Sequence, residues 1–236
     1  MEKTKLFFLP YAGGSAMGYM TMKRYMDTDL YEPVPLELAG RGSRANEPCY
    51  SSIEECLSDL YEKVKVQTAN CSYAVFGHSL GAMIGFELLR YIEKKGDSNL
   101  LCGIFSGRVA PSVSFPGPVI SSLGDKEFLE QFTKLESLPA EMLNNEKILE
   151  FIIPVLRADV ALSEEYQYYE NTPLLADIYV LYGKEDVLIE EEHIDKWKKE
   201  TLNHCEITSF PGGHFYYKEC VETFAKRLDE IMRRYC

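Results

Sequence analysis

The sequence predicts an α/β fold with a mostly parallel central sheet, helices on both faces and a helical insertion near the carboxyl end of the strands. Three observations carry that prediction. Short apolar, β-branched and aromatic runs near residues 5–10, 34–38, 73–76, 101–106, 178–182 and 205–210 alternate with helical segments. A serine framed by glycines, Gly77-His78-Ser79-Leu80-Gly81, falls between one such run and a helical one. Between Gly107 and Asp177 the strand pattern lapses and helical periodicity replaces it. A chain of 236 residues fits one domain, 1–236, with the insertion at about 112–172.

The elements follow in order. Lys5-Leu6-Phe7-Phe8-Leu9 reads as a strand that runs directly into the glycine-rich loop Pro10-Tyr11-Ala12-Gly13-Gly14-Ser15. Ser52-Ile53-Glu54-Glu55 has the spacing of a capping box and starts a helix to about Gln67. Tyr73-Ala74-Val75-Phe76 is a short buried strand, and Ala82 to Tyr91 is an apolar helical run. In the insertion, Phe128, Leu129, Phe132 and Leu135 share one helical face, and Ile148, Leu149, Ile152 and Leu156 share another. Pro154 should kink or end the second helix. Tyr166, Tyr168 and Tyr169 cluster behind it. Ile178-Tyr179-Val180-Leu181-Tyr182 is a central strand by composition. Cys205 to Phe210 is the last strand, ending in Pro211-Gly212-Gly213-His214.

A serine on a sharp strand-to-helix turn, with glycines leaving room for close backbone contacts, is a nucleophile elbow. Serine alone is a poor nucleophile, so Ser79 needs a base, and the base needs an orienting acid. In the α/β-hydrolase arrangement these follow in the order Ser, Asp or Glu, His, each after a strand. Of the four histidines, His78 neighbours Ser79 and leaves the backbone in another direction. His193, in Glu190-Glu191-Glu192-His193, reads as a surface residue, and His204 as a turn residue before a strand. His214 follows the last strand on two glycines that let the loop aim the ring inward. It is the candidate base. Asp186 and Glu185 both follow the strand ending at Gly183, and the shorter Asp186 is favoured as the acid. Acyl chemistry also needs oxyanion donors. The backbone N–H of Leu80 is one. The loop after the first strand supplies the other, assigned to Ala12 with Gly13 as the near alternative. That loop lacks a G-x-G-x-x-G fingerprint and a Walker lysine, which argues against a phosphate cradle.

The formal net charge of −12 argues against nucleic acid and anionic membranes as partners. Lys23-Arg24 and Arg41 with Arg44 are the candidates for a local basic patch. No apolar run approaches the ~20 residues that span a bilayer, and the amino terminus has no cleavage-site pattern. Seven scattered cysteines, none in C-x-x-C spacing, read as free thiols of a cytoplasmic protein. No His/Cys cluster has zinc spacing, so neither a metal nor a cofactor is expected. The insertion is a natural lid over the site.

Several blocks resemble the type II thioesterases, the stand-alone editing enzymes of non-ribosomal peptide and polyketide synthesis. They are Phe8 to Ala16, Leu36-Glu37-Leu38-Ala39-Gly40-Arg41-Gly42, Phe76 to Ala82, Phe105 to Pro111, Leu156-Arg157-Ala158-Asp159 and Gly212-Gly213-His214-Phe215. The likeness runs from about residue 5 to residue 230. Two positions depart from the pattern: Ala39 stands where the family usually has proline, and Leu80 where methionine is common. The resemblance implies a triad of Ser79, Asp186 and His214. It further implies hydrolysis of acyl, aminoacyl or peptidyl thioesters on the phosphopantetheine arm of a carrier domain, by a monomer. An esterase or lipase acting on free esters, an acyltransferase and a non-catalytic protein of the same fold are the competing readings.

Overall fold

The structure, a computed structural model, describes residues 2–113, 118–135, 138, 143–169 and 172–236. Six strands pair in parallel: β1 (Lys5–Leu9), β2 (Glu32–Pro35), β3 (Tyr73–His78), β4 (Leu100–Ser106), β5 (Asp177–Gly183) and β6 (Cys205–Phe210), in the spatial order β2-β1-β3-β4-β5-β6. The chain moves outward from β1 to β2, crosses back over β1 to β3 and then proceeds to β6. The direction therefore reverses between β1 and β3, whose following loops open side by side at the carboxyl edge. That is where an open α/β sheet presents its binding crevice.

Among the described residues the α-helices are α1 (Met17–Met20), α2 (Ile53–Gln67), α3 (Leu80–Lys94), α4 (Asp125–Leu135), α5 (Glu146–Glu165), α6 (Glu191–Ile194), α7 (Tyr216–Glu219) and α8 (Val221–Met232). Both faces of the sheet are covered. Phe7, Leu9 and Val75 join Leu57, Leu60, Ile84 and Leu88 of α2 and α3 in one core. Leu6, Phe8, Ala74 and Phe76 point the other way, to Tyr19, Phe224, Leu228 and Ile231. Alternation across each strand sends side chains to opposite faces, so two-sided burial needs the near-continuous apolar runs the sequence contains.

Two details differ from the sequence reading, the start of the second strand and the exposure of Ile148. The second strand begins at Glu32, earlier than residue 34, and includes Pro33 and Pro35. It is an edge strand, and the N–H groups of Glu32 and Leu36 donate to the carbonyls of Thr4, just before β1, and of Phe8 within it. The prolines alternate with those donors, so their missing N–H groups fall on the outer side, where no ladder bond is lost. The helix at Pro154 is not ended; α5 runs through it. Pro154 is exposed, so the carbonyl it leaves unpaired can be met by water. Ile148, assigned to the apolar face of α5, is 39% exposed, and the buried positions are Leu156, Asp159 and Leu162. The helix predicted from Ser52 is present, and the Ser52 hydroxyl accepts from the Glu55 N–H at 3.2 Å. The reciprocal bond is displaced by one residue, because Glu55 accepts from the N–H of Ser51.

Between β4 and β5, Phe128 and Phe132 of α4 pack with Ile120 and Leu156, and Ala12 of the loop after β1 rests against this third cluster. Helical material therefore lies over the carboxyl ends of β1 and β3. Positions 114–117, 136–137, 139–142 and 170–171 of the expected insertion, and the Leu135 side chain, fall outside the described residues.

At the start of α3 backbone packs directly against backbone. A Cβ on Gly81, at the start of α3, would collide with the carbonyls of Leu9 and Pro10, and one on Gly77 would collide with Gly81. Gly18, by contrast, faces open space. Gly81→Ala should therefore cost about 1–3 kcal/mol through overpacking. For a chain of this size that lowers Tm by about 2–4 °C per kcal/mol. Gly18→Ala should leave Tm unchanged or slightly raised. Thermal denaturation followed by circular dichroism distinguishes them, and equal Tm values would show that the loop after β1 yields freely.

Candidate active site

Ser79 sits between β3 and α3 with φ 54° and ψ −114°, and among the described residues it alone other than glycine has a positive φ. Its N–H donates to the Ser106 carbonyl of β4 at 2.8 Å, and its carbonyl accepts from Ala82 at 3.0 Å, the first turn of α3. Leu80 opens that helix, where backbone N–H groups have no intrahelical acceptor and the helix dipole is positive. Ser79 is largely buried, at 6% exposure, and lines a cavity of about 650 Å³. Ala12 and Leu80 share its wall near the serine, and Phe132, Val160 and Tyr166 close it from the insertion.

The loops after β5 and β6 bring the candidate acid and base together. His214 Nδ1 lies 2.7 Å from Asp186 Oδ2, with the Asp186 side chain fully buried. The other Asp186 oxygen accepts from the Leu188 N–H at 3.0 Å. Glu185, the alternative acid, is turned elsewhere: its carboxylate accepts from the Gly212 N–H, and its own N–H donates to the Gly212 carbonyl at 3.1 Å. Glu185 thus ties the histidine loop to the acid loop without meeting the imidazole. His193 is flanked by Glu190 and Glu192, and His204 by Glu206 and Arg234. Glu190, Glu192 and His193 do have ligand atoms within 4.8 Å of one another, but the two glutamates are exposed, and nothing else at this cluster points to ligation.

His78 lies beneath the site. Its ring is fully buried, 4.8 Å from that of His214 between centroids, and its Nδ1 shares a hydrogen bond with Ser106 Oγ at 2.9 Å. Ser106 in turn meets the Tyr216 hydroxyl at 2.7 Å. Burial, reinforced by the nearby His214 and Lys218, pushes the His78 pKa well below its ordinary value, so the ring is neutral. Burial also raises the Tyr216 phenol, which keeps its proton.

The loop after β1 is held by charges that the sequence reading did not assign to the site. The Gly13 N–H donates to Asp159 Oδ2 at 2.7 Å. Of the two candidate donors, Gly13 is thus committed, and Ala12 lines the cavity with Ser79. Asp159 also receives both Arg41 nitrogens, at 2.5 and 2.6 Å, and Arg41 reaches the Gly14 carbonyl at 3.3 Å. Both side chains are buried, 6% and 1% exposed. Arg41 is therefore no surface patch, and Arg44 is likewise engaged, by Glu47, Tyr50, Asp59 and the Glu37 carbonyl. The available signal was an acid in an apolar stripe, Leu156, Asp159 and Leu162, at three-residue spacing.

A protein-family model described as a thioesterase domain matches residues 4–232. The linear gramicidin dehydrogenase LgrE of Brevibacillus parabrevis is 32% identical over 98% of this chain and 88% of its own. The crystal structure of ClbQ from the colibactin NRPS/PKS pathway superposes with a TM-score of 0.92 at 28% identity, covering 99% of this chain and 98% of that one. The type II thioesterase BorB from the borrelidin biosynthetic cluster gives 0.84 at 27% identity over 98% and 92%.

Two outcomes follow from this geometry. Removing the Asp159 charge by Asp159→Ala leaves the Arg41 guanidinium buried without its partner and should cost about 3–5 kcal/mol of stability, read by denaturant unfolding. A loss below about 1 kcal/mol would mean that water replaces the carboxylate. The second concerns pH. The folded-state pKa of His78 lies below the unfolded ~6.5, so the unfolded chain takes up the proton first. Its stabilising contribution is complete above ~6.5 and is lost as pH falls below that value, with a slope of up to about 1.4 kcal/mol per pH unit. His78→Asn retains an acceptor for Ser106 and should flatten the stability profile between pH 6.5 and 5. An unchanged slope would place the proton uptake on other groups.

Proposed function

The chain belongs to the thioesterase domain family, and from that premise we propose that it is a type II thioesterase, a serine hydrolase that frees carrier domains of acyl or aminoacyl groups held as thioesters on their phosphopantetheine arms. The observation that carries the reading is the Asp186–His214 pair, 2.7 Å apart, at a site whose serine lies on a positive-φ elbow and lines a 650 Å³ cavity. The likeness to ClbQ of an NRPS/PKS pathway and to the type II thioesterase BorB supports the substrate class. The name of LgrE describes a dehydrogenase, but here the loop after β1 lacks the dinucleotide fingerprint.

In this reading Ser79 Oγ attacks the thioester carbonyl while His214 Nε2 takes its proton. Asp186 holds the Nδ1–H tautomer and stabilises the imidazolium. The N–H groups of Leu80 and Ala12 receive the oxyanion, and each such donor is worth ~10²–10³ in turnover. His214 then protonates the departing sulfur, an undemanding step because a thiol has a pKa near ~8.5. Water activated by the same imidazole cleaves the acyl-Ser79 ester. The insertion acts as a lid that shapes the acyl cavity and limits water. No cofactor takes part beyond the arm carried by the substrate, and the enzyme works as a cytoplasmic monomer meeting carriers transiently.

The test has two parts. Ser79→Ala should fold but lose essentially all single-turnover hydrolysis, and adding His214→Ala should cost little more, because such residues act as a unit. Asp186→Asn should lower turnover severely, by ~10⁴ on the serine-protease precedent, and Glu185→Gln should be nearly silent. For one acyl group, kcat/KM on a carrier should exceed that on a pantetheine mimic by about tenfold or more, from remote contacts that truncation forfeits. Equal values would favour an esterase for small free substrates, and retained hydrolysis by Ser79→Ala would remove the serine from the chemistry.

A further inference from the structure

A carrier-bound substrate must fit two things at this site, the acyl group and the arm. The cavity accounts for the first. It touches Ser79 and the two donor loops, while His214 is not among its lining residues. His214 protonates the leaving sulfur in the proposed reaction, so the arm departs on the His214 side, away from the acyl cavity.

That side is built from residues adjoining the machinery. Phe215 follows His214, Tyr11 precedes Ala12, and their rings meet edge to face with centroids 4.9 Å apart. Above them stands Lys218. Its Nζ lies 3.9 Å from the Phe215 ring centroid and 4.5 Å from that of Tyr11, and it donates to the Tyr11 hydroxyl at 3.1 Å. The residue is exposed, and among the described residues no carboxylate lies within ion-pair distance of it. Two aromatic faces hold an ammonium in place without neutralising it, and one hydroxyl occupies only one of its three donors. The sequence-based candidates Arg41 and Arg44 are absorbed by internal carboxylates. Lys218 is instead a positioned cation beside the catalytic groups of an acidic protein.

We infer that Lys218, seated on Tyr11 and Phe215, is the binding site for the phosphate of the phosphopantetheine arm. The inference rests on the thioesterase reading above. A flexible four-carbon stem lets the ammonium follow a phosphate at the end of a long arm, and it binds that phosphate as a point charge. The aromatic pair beneath offers apolar surface to the pantetheine chain. Because the site contacts a remote part of the substrate and not the reacting atoms, its contribution appears as ground-state and transition-state binding alike, in KM.

The test compares one acetyl group on three thiols: a carrier's phosphopantetheine arm, free 4′-phosphopantetheine and pantetheine without phosphate. Lys218→Ala should raise KM about three- to tenfold for the two phosphorylated substrates, with kcat held and the pantetheine substrate unaffected. Lys218→Arg should retain most of the wild-type value, and Lys226→Ala, which removes an exposed charge from the solvent side of α8, should change nothing. Calorimetric titration of the protein with phosphopantetheine and with pantetheine gives a readout independent of turnover. The phosphorylated ligand should bind more tightly, and Lys218→Ala should abolish the difference. Equal binding of the two ligands by the wild-type protein overturns the inference, as does an effect of Lys218→Ala confined to the carrier, which would assign Lys218 to the carrier's surface. Absence of hydrolysis of all three thioesters by the wild-type protein would instead reject the thioesterase reading, leaving the titration to decide the phosphate site.

Discussion

The left-handed backbone of Ser79 is the constraint around which the carboxyl edge of the sheet is arranged. A non-glycine residue in such a sparsely populated conformation costs about 1–3 kcal/mol and persists only where its surroundings over-determine it. Here they do. The Ser79 N–H is bound to β4, its carbonyl is bound into α3, and Gly77 and Gly81 let the helix start press against β1 without a Cβ between them. The same contact has a chemical consequence. Because α3 begins against the end of β1, the N–H of Leu80 and the loop carrying Ala12 meet at the wall of one cavity. Strain at one residue and the approach of two chain segments to one cavity are a single structural fact.

The loop after β1 has no regular structure of its own, so something must fix it, and the fixing group is Asp159. This carboxylate comes from α5, across the insertion, and binds Gly13 and Arg41 together. A buried ion pair is weak evidence for stability, since desolvation can exceed the attraction. Its geometry nonetheless specifies one arrangement of three chain segments: the loop after β1, the Arg41 loop and the helix above the cavity. Any displacement of α5 moves the acceptor of Gly13, so the helix that roofs the acyl cavity and the loop that carries a proposed oxyanion donor are mechanically one unit. Glu185 performs the corresponding task on the other side, bonding Gly212 and so fixing the loop that carries His214.

Much of this was legible in the sequence because it rests on local patterns. The strands are apolar runs of the right length, the elbow is a contiguous motif, and Asp186 and His214 each directly follow a strand-ending turn. What was not legible depends on partners far away in the chain. Arg41 resembles any loop arginine until Asp159, 118 residues on, is brought against it. The second strand starts earlier than residue 34 and takes in two prolines, which only its edge position makes compatible with a strand. Ile148 fits the apolar periodicity of α5, yet that end of the helix projects into solvent. The stacking of Lys218 on Tyr11 and Phe215 joins residues from opposite ends of the chain. No spacing rule would have found it.

On the thioesterase reading, the shape of the cavity also bounds how selective such an enzyme can be. One methylene more or less in an apolar pocket changes discrimination by only about 1–3 kcal/mol. A space of about 650 Å³ walled by Phe132, Val160 and Tyr166 offers contact to a small acyl group on only part of its surface. Strong rejection would require polar groups left unpaired by the wrong substrate. Part of the polar lining is engaged in internal structure, Asp159 with Gly13 and Arg41 and Glu164 with the N–H groups of Ile120 and Ser121, while Arg108, Ser163 and Gln167 also line the cavity. The apolar wall by itself gives only modest discrimination, and further selectivity can come from the other end of the substrate. There the protein's net charge of −12 opposes an acidic partner, but at physiological salt that field fades over a Debye length of about 8 Å. A single cation held beside His214, as proposed for Lys218, acts within that distance. Recognition of the arm rather than of its cargo is the division of labour that suits an enzyme whose task is to clear whatever a carrier holds.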